Sequence, residues 1–224
     1  MSQRARAVAV AVAILAVVGC GGPEETLDTT IPVGPGAVSA VTAVEELVDA
    51  INVPDFAEAS RLAMPGQAAL ASLAEGADFA SVAEALRDGD ADIASNFWSG
   101  FAQGSADFLA GQVEVAAGSG IAEGNVTFET VDVVPASGGP RTVLLRDSDG
   151  YRVDLFASFG AGLAGKMSAP VERLLVTQTE DARLILEHLQ GIVPSLLVAA
   201  KLPTTSDDVS QQLLALVEVI TRVG

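Results

Sequence analysis

Few side chains in this chain of 224 residues could carry chemistry. There is one cysteine, Cys20, and one histidine, His188. A lone thiol cannot close a disulfide within the chain, and one thiol with one imidazole cannot build a zinc site of several Cys and His ligands. His188 has the chemistry of a general base, but with no second His or Cys partner it reads as a histidine at the boundary of a helix face. Asp147, Asp149 and Asp154 offer oxygens to calcium, yet the loop pattern ending in a Glu at its twelfth position is absent, so they read as turn formers. Gly160-Ala161-Gly162-Leu163-Ala164-Gly165 matches the dinucleotide-binding fingerprint letter for letter. The rest of that unit is missing. The preceding strand belongs to a hairpin, Pro170 falls where the crossover helix should continue, and Glu180 and Asp181, at the right distance, lie within a helical stripe. These glycines therefore read as a flexible hinge. No Gly-x-Ser-x-Gly elbow occurs. Phe97, Trp98 and Phe101 form an aromatic stripe, which fills a core or lines a pocket.

The charge balance narrows the partners. Twelve Lys and Arg stand against 29 Asp and Glu, a formal charge of -17. Affinity for nucleic acid is built on cations that neutralise phosphates, so nucleic acid is not expected as a partner. Half of the residues are hydrophobic and 18% are charged, which is too apolar for wholesale disorder.

The N-terminus carries an address. Arg4 and Arg6 precede an unbroken apolar run from Ala7 to Val18, then Gly19 and Cys20. The run is too short to cross a bilayer, which takes about 20 residues, but it suits the core of a secretory signal. Val17-Val18-Gly19-Cys20 resembles a bacterial lipobox, in which the signal peptidase cuts before a cysteine whose thiol carries diacylglycerol. The resemblance implies a signal peptide over 1–19, lipidation at Cys20, and a protein held at the outer face of the cell membrane. Cleavage would remove two arginines and no acid, deepening the negative charge by two. Gly21 to Gly36, framed by glycines and prolines, reads as a tether, so 20–36 is assigned to the lipidated cysteine and its linker. Its reach is roughly 20 to 25 Å. That exceeds the screening length of about 8 Å at physiological salt.

The domain begins with helices. Val41, Val44, Leu47, Val48 and Ile51 share a stripe, predicting a helix over about 39–52. Asp55 followed by Glu58 has capping-box spacing for a second helix, which ends near Met64-Pro65-Gly66. Ala-rich helices are expected over about 67–74 and 79–87, the latter capped by Asp78. Ile93, Phe97 and Phe101 then repeat every four residues on a further helix. After Gly111 the pattern changes to strands, near 112–117, 125–134, 141–147 and 151–157. Asp147-Ser148-Asp149-Gly150 suits a type I turn followed by a left-handed glycine. This three-residue loop sets Leu145 opposite Val153 and Val143 opposite Leu155, so Tyr151, Val153 and Leu155 share an apolar face. It also sets Arg146 opposite Arg152, a repulsion that Glu129 or Asp132 could offset. Beyond Phe159 helix returns, with one long stripe from Val171 to Leu189. The run Ile192–Ala200 is apolar nearly all round and must be buried. Ser206, Asp207 and Asp208 open the last helix.

The order of helices then meander, with Ala43 to Leu62 and the Asp149-Gly150-Tyr151-Arg152-Val153-Asp154 hairpin, resembles the nuclear transport factor 2-like superfamily over about 38–157. Many bacterial members of that superfamily are small lipoproteins. The resemblance implies a cone of curved sheet and helices around an apolar pocket, used for catalysis in some members and for binding in many. This chain departs from it by a C-terminal helical tail of some 65 residues. The expected architecture is α+β, with N-terminal helices on a curved antiparallel sheet of about four strands over 37–159, and a helical extension over 160–224 packed on the same domain. The expected pocket lining is Phe97, Trp98, Phe101, Tyr151, Val153 and Leu155. Expected partners are the membrane, through the lipid, and an apolar small molecule or an envelope protein. No cofactor, metal or catalytic residue is assigned. Two other readings compete: an interaction module acting through the C-terminal helices, and a small hydrolase or isomerase with a pocket carboxylate, which should carry a raised pKa.

Overall fold

A computed structural model describes residues 34–88, 91–104, 114–135 and 139–222. The fold is mixed α+β with a C-terminal helical region. The helices are α1 (Ala40–Asn52), α2 (Phe56–Leu62), α3 (Gln67–Ala71, running into a 3-10 turn over Ser72–Glu75), α4 (Phe79–Asp88) and α5 (Ala91–Gly104). The strands follow, β1 (Glu114–Ala117), β2 (Ile121–Glu123), β3 (Val126–Val134), β4 (Arg141–Asp147) and β5 (Tyr151–Val153). Helices α6 (Leu155–Val176), α7 (Glu180–Gly191), α8 (Val193–Lys201) and α9 (Asp207–Thr221) complete the described chain.

Local chemistry sets many of these boundaries. The Ser39 hydroxyl accepts from Thr42 N at 3.1 Å, and Asp78 from Ser81 N at 3.0 Å, at the starts of α1 and α4. Asp55 caps α2 by accepting from Glu58 N at 3.1 Å. The Glu58 carboxylate does not reach back to complete a capping box. It takes Arg61 Nε at 2.7 Å instead, because a guanidinium one turn along is the stronger donor.

The sheet is antiparallel and open, ordered β1-β3-β4-β5, with β2 also paired to β3. β2 was not among the expected strands, and Gly118 and Gly120 stand just before it. In the structure they interrupt one edge of β3 between two short pairings, Ala117↔Val131 and Ile121↔Phe128. The hairpin register is as predicted, with Leu145 opposite Val153 and Arg146 opposite Arg152. Its turn is not type I, because Asp149 as well as Gly150 is left-handed, at φ 54° and 95°. Val131, Val133, Val143, Leu145 and Val153 face the helices in the main core, while Phe128 and Leu144 on the other face pack on Ala157 and Val198.

The expected fourth strand stops at Val153, so Leu155 has no partner in Val143. Asp154 ends the strand and starts a helix. Its amide still donates to Leu144 O at 2.9 Å, while its carboxylate accepts from Ala157 N at 2.9 Å as the N-cap of α6. The glycine run is therefore no hinge. Gly160 to Gly165 lie within α6, and the boundary expected after residue 159 falls inside this helix. A Cβ on Gly160 would sit in ordinary contact, 3.5 Å from Leu213 and 3.6 Å from Leu196, so this face of α6 lies against α8 and α9. Pro170 also lies inside α6, buried beside Met167, Val171 and Leu174. Packing thus outweighs an interior proline's cost of about 3 kcal/mol. The stripe from Val171 to Leu189 is split between α6 and α7, where Thr179 accepts from Ala182 N at 3.2 Å. Ile192–Ala200 is buried within this fold, with Leu196, Val198 and Ala199 each at 2% exposure or less.

The segment assigned to the tether is attached from Gly34 onward. Gly36 N donates to Asp149 O at 2.7 Å, and Ala37 exchanges two backbone hydrogen bonds with Tyr151, at 2.9 and 3.0 Å. Arg152, only 3% exposed, donates to Gly34 O at 2.6 Å and to Arg61 O. Carbonyl oxygens thus take up this cation, and burial together with the nearby Arg61 charge pulls its pKa down. A Cβ on Gly36 would lie 2.5 Å from Gly150 C and 2.8 Å from Tyr151 O, both backbone atoms that cannot yield. Gly36→Ala should therefore release this segment and cost about 1–3 kcal/mol. Limited proteolysis should show new cleavage near residues 34–38; an unchanged melting temperature and digest would contradict the close approach.

Candidate functional site

Of the six residues expected to line one pocket, the structure brings three to a common cleft. Helix α5 carries Phe97 and Phe101, and α6 brings Leu155, Phe159 and Leu163 against them. The cleft has a volume of ≈ 320 Å³, with Glu75, Arg141, Ser158 and Lys166 among its polar lining. Phe101 and Phe159 meet edge to face, with centroids 4.9 Å apart at 80°. Both rings are only partly buried, so they keep surface for a ligand. Phe97 contributes to the floor at 3% exposure. On the rim, Lys166 Nζ pairs with Glu75 Oε1 at 3.1 Å, so these two charges cancel.

The other three lie elsewhere. Trp98 is fully buried behind the cleft, with its ring 5.1 Å from Phe97 and 5.4 Å from Phe101, and its indole N–H donates to Ser60 Oγ at 2.9 Å. Val153 is fully buried in the core. Tyr151 borders a different cleft beside Met64 and Glu129. Cys20 lies outside the described residues. Phe159, Leu163 and Lys166 were missed because the first turns of α6 were read as the end of a strand followed by a glycine hinge. The spacing of Leu155, Phe159 and Leu163, four residues apart behind a capping Asp154, was the signal that could have found them.

A second feature was not expected from the sequence at all. Asp154 is 0% exposed, and its Oδ2 accepts from Ser195 Oγ at 2.7 Å. Arg146 Nε stands 3.0 Å from the same oxygen, an ionic contact whose N–H is not aligned into a hydrogen bond. Asp154, rather than Glu129 or Asp132, is thus the counter-ion of Arg146. Gln67 is also buried, and its Oε1 accepts from Leu155 N at 2.6 Å. Together Asp154 and Gln67 satisfy Ala157 N and Leu155 N, two of the amides that a helix start leaves unpaired. Ser195 donates its proton to a carboxylate in a closed site, an arrangement that suits structure rather than nucleophilic attack. The exposed Asp147 and Asp149 stay on the hairpin turn, away from Asp154. Among the described residues, no group of three or more His, Cys, Asp or Glu side chains is placed to hold a metal ion.

His188 is half-buried on α7 beside a separate cavity of ≈ 360 Å³. Burial pushes its pKa below the ordinary value, while the charge of Glu187 pulls the other way. Among the described residues, no single helix is long and apolar enough to cross a membrane. The bent pair α7–α8 passes on length and composition, but Ile185, Leu189 and Leu196 of this pair are fully buried in the core.

The described fold and cleft define an α+β domain with a small aromatic recess between two helices. No protein family, no curated protein and no solved structure matches the chain.

Proposed function

We propose that this protein is a lipid-anchored, extracytoplasmic binding protein that holds a small apolar molecule in the cleft between α5 and α6 without transforming it. The observation that carries the reading is the partly open Phe101–Phe159 pair over a floor of Phe97 and Leu155. Binding sites usually combine such apolar walls with a few polar groups, and their volumes run from about 300 to 1,000 Å³. A cleft of ≈ 320 Å³ suits one ring system or a short acyl chain rather than a whole phospholipid. The lipobox-like Val17-Val18-Gly19-Cys20 supplies the anchor, and several acyl chains, at about 0.8 kcal/mol per buried methylene, hold durably. The packing of α7, α8 and α9 into the main core favours the cleft over a detachable C-terminal docking module.

Two measurements test the two halves of this reading. A chain beginning at Gly34 should enhance the fluorescence of N-phenyl-1-naphthylamine, a neutral apolar dye, and Phe101→Asp should weaken that binding by at least about tenfold. Equal binding by a folded Phe101→Asp variant would remove the cleft from the proposal. Mass spectrometry of the full chain from bacterial membranes should find diacylglycerol on an N-terminal Cys20. An unmodified Cys20 in a chain released to the medium would reject the anchor.

A further inference from the structure

The cavity beside His188 shares no lining residue with the aromatic cleft. Pro65, Leu70 and Ile192 form its apolar wall, and Gln67, Arg146 and His188 its polar one, around ≈ 360 Å³. The left-handed Gly66, at φ 74°, turns the chain so that Gln67 begins α3 at this wall. Gln67 is 2% exposed. Because Leu155 N–H needs an acceptor, the Gln67 carboxamide is oriented with Oε1 toward α6. Its Nε2 is then a buried double donor with no hydrogen-bond partner, and Arg146 Nε is likewise without an aligned acceptor. A buried donor left unpaired is unfavourable, so this cavity has an unmet demand for acceptor oxygens.

The charges decide what kind of acceptor fits. Arg146 and Asp154 cancel at 3.0 Å, and Glu187 adds a negative charge at the exposed edge. A carboxylate would bring a further negative charge toward Asp154 and Glu187. A cation would meet Arg146 and the Gln67 donors. A neutral carbonyl oxygen meets neither conflict. The half-buried His188, held neutral near pH 7 by its burial, offers one donor and one acceptor, and can take an N–H beside that carbonyl.

We infer that this cavity is a second binding site, for a small neutral amide whose carbonyl oxygen accepts from Gln67 and Arg146 while its apolar stem lies on Pro65, Leu70 and Ile192. This inference stands independently of the aromatic cleft. The probe is ε-caprolactam, a neutral, water-soluble ring amide, titrated into the isotope-labelled full-length chain in detergent micelles. The side-chain amide resonances of Gln67, assigned through their proximity to Leu155 N–H, should shift in a saturable manner. Hexanoate, with a similar stem but a carboxylate head, should bind at least about tenfold more weakly. Gln67→Glu retains an acceptor for Leu155 N but removes both donors, and should weaken caprolactam by at least about tenfold. Should that variant not fold, Arg146→Lys, which keeps a cation near Asp154 but loses the planar fork, carries the same direction of change. Unmoved Gln67 resonances overturn the site, and hexanoate binding as tightly as caprolactam overturns the ligand class. Undiminished binding by the folded variant overturns the role of Gln67.

Discussion

Asp154→Ala should destabilise the domain by about 3–5 kcal/mol, a large share of the roughly 5–15 kcal/mol typical of folded domains. Three losses coincide on one residue. The cap of α6 disappears with the bond from Ala157 N, which is commonly a loss of about 1 kcal/mol. The buried hydroxyl of Ser195 loses its acceptor, at about 1–3 kcal/mol. Arg146 keeps its charge without a counter-ion. Its side chain is 20% exposed and borders a cavity, so water reaches part of the guanidinium and this loss stays below that of a sealed ion pair. Asp154→Asn, which retains an oxygen for the cap, should be the milder change. Combining Arg146→Leu with Asp154→Leu should recover part of the loss, since it removes the orphaned charge. Urea unfolding of the four proteins measures these differences; an Asp154→Ala midpoint equal to that of the parent would refute the network.

That residue also explains where sequence reading stopped. Alternation through Tyr151, Val153 and Leu155 is continuous, so nothing local separates a longer strand from a strand ended by a cap. The contacts that decide it come from far away. Ser195 lies 41 residues on from Asp154, and Gln67 lies 88 residues back from Leu155. The same holds for Gly160 and Pro170, which locally disfavour helix by about 1 and 3 kcal/mol. Their helix forms because α8 and α9 pack on it, and no window along the chain contains that contact. By contrast, the caps at Asp55 and Asp78 and the Leu145–Val153 register depend on near neighbours or a short loop, and these were legible. The candidate site divides in the same way. Phe97 and Phe101 declare themselves by spacing on one helix, whereas the opposite wall of Phe159 and Leu163 depended on reading α6 as a helix at all.

Trp98→Ala should cost a comparable 3–5 kcal/mol or so, and it tests the core and the cleft together. Trp98 is the only tryptophan, fully buried, and packed edgewise against both Phe97 and Phe101. Removing the indole opens a void that these rings cannot fill without leaving their own contacts, and it strips Ser60 Oγ of its donor. Trp98→Phe keeps most of the volume and should cost roughly half as much. Circular dichroism must follow the unfolding, because the variant has lost its only indole fluorophore. The void lies directly behind the Phe97 floor of the cleft, so added indole should enter it and restore stability in proportion to ligand occupancy. Restoration by indole, but not by an equally soluble polar compound, distinguishes a vacated aromatic core from general loosening of α5. If Trp98→Ala unfolds within about 1 kcal/mol of the parent, Trp98 is not the keystone of this cluster. The partly open Phe101 and Phe159 would then lack the rigid backing on which an apolar binding cleft depends.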